Sequence, residues 1–301
     1  MVNNNESMNC KICGKKGFLY FEKEYSNEEL KNFFKNFYGN VYLDNINEYL
    51  KNQNYTLLKC SECSFIWQKF VPDEKFSNFL YEEIINKNFS LNKSINFEKI
   101  SRKKNKYKFK AILDHFNKEK INILDFGAGW GSWLINLDKN KVNKFAYEIS
   151  PSRKSYLTSN GIDVLNDDQI LNYKNYFDYI RLEQVLEHIP DINKSMKLIK
   201  LISKKGCILE IGVPNGIKQI KNVASLEIVK GPIQPLEHLN CFTNKSLKKF
   251  IKMYNFEALK MINILNLYSY RSFGGVFNMK ILIKEILDNT FSTSVKFRLK
   301  E

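Results

Sequence analysis

Residues 123–134 read ILDFGAGWGSWL, an apolar run that meets Asp125 and then glycines at 127, 129 and 131. Glycine removes the side chain, so backbone can approach a bound molecule closely. A dinucleotide fingerprint would read G-x-G-x-x-G, with a pyrophosphate seated on the following helix N-terminus. This stretch departs from it as Gly127-Ala128-Gly129-Trp130-Gly131, with an acid two residues before the first glycine. A carboxylate at the end of a strand repels a pyrophosphate and welcomes a cationic amino-acid group.

Outward from the loop, apolar strands alternate with helical patterns. Strands are expected at 121–126, 144–149, 162–165, 177–182 and 206–212, and helices near 131–139, 151–159, 184–187 and 191–203. Such alternation predicts an α/β fold with a doubly wound parallel sheet, whose ligands bind beyond the carboxyl ends of the strands. The second strand ends in Glu148, placed to accept hydrogen bonds from ribose hydroxyls. An acid for an amino group and an acid for a ribose describe a nucleoside carrying an amino acid. That combination points to S-adenosylmethionine (SAM).

Four segments then stand in order: ILDFGAGWGSWL, FAYEIS at 145–150, FDYIRLEQVLEHIPD at 177–191 and CILEIGVPN at 207–215. Together they resemble the class I SAM-dependent methyltransferases over residues 120–301. The resemblance implies a mostly parallel seven-stranded, Rossmann-like sheet, SAM as cofactor and S-adenosylhomocysteine as product. It implies Asp125, Gly127 and Gly129 at the methionine end and Glu148 at the ribose. The adenine-facing acid falls at Asp167 or Asp168, and the spacing to Phe177-Asp178 favours Asp168. Glu183 and Gln184 would flank the sulfonium.

The N-terminal segment carries different chemistry. Cys10-Lys11-Ile12-Cys13-Gly14 and Cys60-Ser61-Glu62-Cys63-Ser64 are two C-x-x-C knuckles. Two residues between cysteines let both thiolates face one tetrahedral site, and four sulfurs suit Zn²⁺ with no open coordination position. The expected metal ligands are therefore Cys10, Cys13, Cys60 and Cys63, holding a structural zinc in a domain too small for a good core. Between the knuckles, SNEELKNFFKNFYG reads as a helix opened by Ser26 with Glu29 as its capping-box partner. Residues 55–70 read as two short strands hinged on the second knuckle. The expected organisation is a zinc-binding domain at 1–72, a helical connector at 73–118 with helices at 76–90 and 106–120, and the methyltransferase domain at 119–301. Cys207 and Cys241 read as inert thiols, and His115 as a surface or boundary histidine.

Two places bear on the acceptor. Glu187 and His188 follow the fourth strand, and His188 is a candidate catalytic group. Some quinone-pathway O-methyltransferases hold a divalent metal there, but Gln184 stands where a further carboxylate would be needed. The second place is GPIQPLEHLNCFTNKSLKKFI at 231–251, where Thr243 caps a helix and Glu237 and His238 precede it. An imidazole oriented by a neighbouring acid is a suitable general base near neutral pH. A four-cysteine domain, the methyltransferase core and this loop together resemble sugar methyltransferases of deoxysugar and surface-polysaccharide pathways. In the C-methylating branch the loop supplies a Glu-His pair, matched by Glu237 and His238; that branch also carries a further C-terminal α/β domain, whereas this sequence has 301 residues. The expected reaction is O-methylation of a nucleotide-linked sugar or glycan precursor of capsule, with C-methylation of a keto-sugar as runner-up. Quinone or other small-molecule methylation comes third. Residues 256–265 and 294–301 read as a closing antiparallel strand pair, and 274–291 as an amphipathic helix serving as a lid or a homodimer contact.

A net charge of +15 raises a different class, an RNA-modifying or nucleic-acid-binding protein. The charge is mostly dispersed Lys interleaved with Asn and Ile, and the zinc segment lacks a basic patch with interleaved aromatics. The one dense cluster, Arg102 to Lys110, reads as the solvated face of a helix. No apolar run reaches the roughly 18–20 residues of a membrane span, and the polar N-terminus lacks a signal-peptide core. A cytoplasmic protein is expected.

Overall fold

The computed structural model describes residues 8–40, 43–218, 228, 231–260, 264, 283–284, 286–288 and 293–300. The chain divides into two compact units, and neither is a single segment. One contains Met1–Asn86, Leu186–Asn193 and Val213–Phe250; the other contains Lys87–Val185, Lys194–Gly212 and Ile251–Glu301. The linear division expected at 72 and 118 thus differs from the compact units, because two later loops fold with the N-terminal segment.

The first unit is built on a four-stranded antiparallel sheet of β1 (Gly17–Glu24), β2 (Asn54–Cys60), β3 (Ile66–Gln68) and β9 (Asn240–Cys241), in that order. β2 and β3 form the hairpin expected around the second knuckle. Between β1 and β2 lie α1 (Glu28–Tyr38) and α2 (Leu43–Tyr49). α1 opens one residue later than expected. Asn27 caps it by accepting from the Glu29 N–H at 2.9 Å, while the Ser26 hydroxyl donates to Glu24. Leu30, Phe34, Ile46, Tyr55, Leu57 and Ile66 fill the core of this unit. α3 (Glu74–Phe79) is capped by Asp73 and runs into one π turn at Leu80–Ile84.

The second unit opens with α4 (Lys87–Phe116). This one helix of 30 residues replaces the gap expected between two connecting helices; the break falls earlier, at Ile85–Asn86. Arg102, Lys103, Lys106 and Lys110 are exposed on it and Phe109 is buried, so these four basic residues form a solvated helix face.

Seven strands follow: β4 (Ile121–Phe126), β5 (Val142–Tyr147), β6 (Asp163–Leu165), β7 (Phe177–Glu183), β8 (Ser203–Gly212), β10 (Phe256–Ala258) and β11 (Ser294–Leu299). Their order in the sheet is β10-β11-β8-β7-β4-β5-β6. β4 to β8 are parallel, and β11 pairs antiparallel with both β8 and β10. This is the doubly wound seven-stranded sheet the sequence implied. The order reverses at β4, so the loop after β4 lies at the topological switch point, where ligands of such sheets bind. The expected closing strand pair is β10 and β11. Most of the 274–291 helix lies outside the described residues; 283–284 and 286–288 are helical.

The crossover helices are α5 (Ser132–Ile135), α6 (Pro151–Ser159), α7 (Asp167–Ile170) and α8 (Ile192–Ile202). α6 matches its expected bounds because its signals are local: Ser150 accepts from the Arg153 N–H, and Pro151 stands in the first turn. The helix expected at 184–187 is instead a turn at Leu186–His188. Its carbonyls are satisfied from far along the chain: Asn240 Nδ2 donates to the Leu186 and Ile189 oxygens, and the Leu239 and Asn240 N–H groups to that of Glu187.

Gly127, Gly129 and Gly131 all have left-handed φ angles, of 73°, 57° and 64°. A Cβ at Gly131 would stand 2.2 Å from Leu157 Cδ2, beneath α6. Gly131→Ala therefore combines a left-handed cost of about 1–2 kcal/mol with an overpacking cost of about 1–3 kcal/mol. Chemical denaturation should show a loss of about 2–5 kcal/mol; a variant as stable as the parent would mean that the loop can relax.

Candidate functional site

In the second unit, the glycine loop sits among carboxylates. Asp125, next to last in β4, has its side chain buried and faces Arg181 of β7 at 3.6 Å. Arg181 also lies 3.6 Å from Glu183 and covers the Trp133 ring, 4.8 Å from its centroid. Burial pushes the Asp125 carboxyl up to about 6; Arg181 opposes that shift, and Glu183 and Glu148 add to it. Two carboxylates beside one guanidinium, with the Glu148 charge acting on Asp125 as well, favour a cationic ligand over a phosphate.

Register explains how a charged residue survives inside this sheet. Asp125 pairs with Arg181, Arg181 with Glu210, and Glu210 with Lys296, giving a row of alternating charge across β4, β7, β8 and β11. Lys296 reaches Glu210 at 3.0 Å and the Tyr179 hydroxyl donates to it. Burial works against the Glu210 charge, but Lys296, Lys108 and Arg181 hold its carboxyl well below the usual range. Arg181 was missed in the sequence; the signal is a basic residue between the apolar Ile180 and Leu182 of β7, which a buried strand carries only with a partner.

Glu148 is buried just past β5, and both its oxygens hold backbone. Oε2 accepts from the Gly129 N–H at 2.7 Å, and Oε1 from the Ile149 and Ser150 N–H groups at 2.8 and 2.9 Å. It therefore clamps the glycine loop as well as standing where a ribose is expected. A side chain at Gly129 would point into open space, whereas at Gly127 it would strike Val185 at 2.7 Å. Asp168 is exposed in the first turn of α7, capped through its N–H by Asn166; the neighbouring Asp167 receives the Tyr147 hydroxyl. Glu183 lies against Gly212, where a Cβ would meet its carboxylate at 2.4–2.9 Å. Gln184 adopts a left-handed φ of 56° and donates its N–H to the Gly212 oxygen at 2.7 Å. The residues present suit SAM: an open glycine face, buried carboxylates and a sheet switch point.

In the first unit the four expected cysteines converge. Cys10 and Cys63 sulfurs are 3.5 Å apart, Cys13 and Cys60 3.4 Å, and Cys13 and Cys63 4.0 Å. After each knuckle the chain turns left-handed, at Gly14 (φ 70°) and Ser64 (φ 58°). Such a donor set suits Zn²⁺. Cys207 and Cys241 are buried apart from it, and burial pushes both thiols up to about 12.

The first knuckle and β3 are wired to the 186–191 and 231–241 segments of their own unit. Lys11 Nζ donates to the Pro190 oxygen at 3.0 Å and Asn240 Oδ1 at 3.1 Å. Burial lowers its pKa to about 8, and Asp191 opposes the shift. Gln68 Nε2, on β3, donates to the backbone oxygens of Gln234 and His238. β9 pairs with β3, immediately after Glu237 and His238. These loops end in a helix, α9 (Asn244–Lys252), which Thr243 caps as expected by accepting from the Ser246 N–H at 3.2 Å.

This wiring brings His188 and His238 together, their ring centroids 4.7 Å apart and nearly perpendicular. His238 Nδ1 donates to the Gly231 oxygen, and Leu236 just before the pair is left-handed at φ 69°. The Glu237 carboxylate takes the Tyr38 hydroxyl at 2.7 Å. The orienting group on the His238 ring is thus a carbonyl, where the neighbouring acid was expected. His188 Nδ1 lies 3.0 Å from the Glu237 carbonyl oxygen and 3.2 Å from the Tyr81 hydroxyl. Tyr38, Tyr81, Lys11 and Gln68 carry no sequence signal for these roles.

Among known proteins, residues 97–261 match the methyltransferase domain family described as "Methyltransferase domain". Phosphoethanolamine N-methyltransferase 2 of Haemonchus contortus, solved with SAM, is 16% identical, over 78% of this chain and 61% of that one, with a TM-score of 0.39. The YcgJ protein of Bacillus subtilis is 12% identical, over 60% of this chain and 89% of its own, with a TM-score of 0.35. Neither likeness adds to the fold, which rests on strand order. The phenylalanine–tRNA ligase beta subunit of Malacoplasma penetrans is 24% identical over 257 residues, 81% of this chain but only 29% of that protein. No helix among the described residues is long and apolar enough to cross a membrane. With the family match over more than half its length and the seven-stranded sheet around the glycine loop, the chain belongs to the methyltransferase domain family, of the SAM-dependent type.

Proposed function

We propose that this protein methylates a sugar hydroxyl, on a nucleotide-activated sugar or a glycan precursor of surface polysaccharide. SAM, when bound, supplies an electrophilic methyl group on a sulfonium. Asp125, Gly127 and Gly129 hold its methionine end, Glu148 the ribose, Asp168 the adenine, and Glu183 and Gln184 the surroundings of the sulfur. The observation that carries the acceptor reading is His238, in the loop whose sequence resembles sugar methyltransferases, paired ring against ring with His188 of the 186–189 turn. With its Nδ1 proton committed to a carbonyl, neutral His238 offers Nε2 as a proton acceptor for a sugar hydroxyl. Glu237, held by Tyr38, and His188, held by the Glu237 carbonyl, shape the surroundings of that base.

The Glu237-His238 pair also supports a second reading, methylation of the carbon beside a keto group after the base removes its proton. Incubating the protein with keto-sugar nucleotides in D₂O would reveal exchange at that carbon.

The test is methyl transfer from labelled SAM to a panel of sugar nucleotides, followed by mass analysis of the product. His238→Ala should lower kcat by about 10²–10⁴-fold and leave S-adenosylhomocysteine affinity intact. Near-full turnover by the variant would defeat the base assignment, and transfer only to RNA or to quinones would defeat the sugar.

A further inference from the structure

We propose that Glu187, His188 and His238 form a second metal site, of the two-imidazole, one-carboxylate type, which takes a divalent transition metal such as Mn²⁺ or Fe²⁺. The proposal rests on the sugar-acceptor reading given above but replaces the base role of His238, because an Nε2 lone pair bound to a cation cannot also take a proton.

The donor atoms are gathered. One potential ligand atom from each of the three residues lies within 4.8 Å of the others, and all three belong to the first unit. The Glu187 carboxylate is fully buried, with Oε1 4.0 Å from His188 Nε2. A buried carboxylate costs much less beside a cation.

The tautomers are set for ligation. A carbonyl oxygen can only accept, so the Nδ1 atoms beside the Glu237 and Gly231 oxygens carry the protons. In the neutral rings both Nε2 atoms then present lone pairs. An imidazole whose other nitrogen donates to a carbonyl is the usual outer arrangement of a metal-bound histidine.

The backbone holds the ligands in place. The Glu187 oxygen receives the Leu239 and Asn240 N–H groups at 2.6 and 3.1 Å, tying the 186–189 turn to the segment that carries His238. The site therefore does not need a carboxylate at Gln184, because its third ligand comes from fifty residues along the chain. Nitrogen and oxygen donors suit Mn²⁺ or Fe²⁺, whereas the cysteine cluster selects soft-ligand zinc. A cation with open positions would bind hydroxyl or keto oxygens of the acceptor and polarise them.

Zinc-replete full-length protein should be titrated with Mn²⁺ alone, followed by electron paramagnetic resonance and calorimetry. Uptake of about one Mn²⁺ per chain is expected, since thiolate zinc does not yield to this metal. Glu187→Gln, His188→Gln and His238→Gln should each weaken uptake by at least about 10-fold, with zinc content and S-adenosylhomocysteine affinity retained as proof of folding. Wild-type protein that takes up no Mn²⁺, or variants that bind it as wild type does, would overturn the site. Turnover of wild type that ignores Mn²⁺ while His238→Gln is inactive would also overturn the cation and leave the base reading standing. Loss of S-adenosylhomocysteine binding in wild type would instead strike the cofactor reading.

Discussion

Asp125→Asn is expected to weaken S-adenosylhomocysteine binding by about 10- to 100-fold, the value of a charge-assisted hydrogen bond, without unfolding the protein. The affinity of the wild type should also depend on pH. Burial raises the free-protein Asp125 carboxyl to about 6, and the ligand's ammonium group needs the ionised form. Affinity should therefore strengthen as pH rises through about 6, and that dependence should vanish in the variant. Folding stability moves the other way. The folded protein holds a proton on Asp125 that the unfolded chain has released between about pH 4 and 6, so the folded state binds more protons and loses stability as pH rises across that window. The Asn variant has no such proton, so its stability relative to wild type should improve from about pH 4 to 6. Calorimetry and chemical denaturation at three pH values check both signs; affinity in the variant equal to wild type would remove Asp125 from the cofactor site.

Cys60→Ser should have the largest effect on the first unit. Structural zinc in four-ligand sites contributes about 10–16 kcal/mol, which rivals the whole stability of a typical domain, about 5–15 kcal/mol. Metal analysis should find about one zinc per chain in wild type and loss of that zinc in the variant. Limited proteolysis should then cut within Met1–Asn86, and turnover should disappear. The second of these losses follows from the wiring. Lys11 of the first knuckle holds Pro190 and Asn240, and Asn240 holds the 186–189 turn. S-adenosylhomocysteine affinity should persist, because Asp125, Gly129 and Glu148 all lie in the second unit. Zinc-free protein with full turnover would refute the link between knuckle and histidines.

Legibility in the sequence followed the range of the interactions. The strands at 121–126 and 177–183, α6 and the glycine loop are marked by contiguous apolar runs, a Ser-Pro cap and glycines, and all were placed closely. The helix at 184–187 was expected because its residues suit a helix; it fails because Asn240 and Leu239 take its carbonyls. α5 ends at Ile135, short of the expected 139, with the Asn136 side chain taking the Ser132 carbonyl. Arg181 escaped notice because its partners are supplied by register, which a single strand does not display.

The sequence by itself determined the fold class, the glycine loop and the four-cysteine cluster. Each is encoded by residues close together, or by paired C-x-x-C knuckles whose donor set suits zinc. Tertiary structure alone decided that the knuckles, the 186–189 turn and the 231–241 loop belong to one unit, and that His188 and His238 stand ring against ring. The physical reason is that Lys11, Gln68 and Asn240 spend their hydrogen bonds on carbonyls up to 179 residues away, and no local pattern announces such partners.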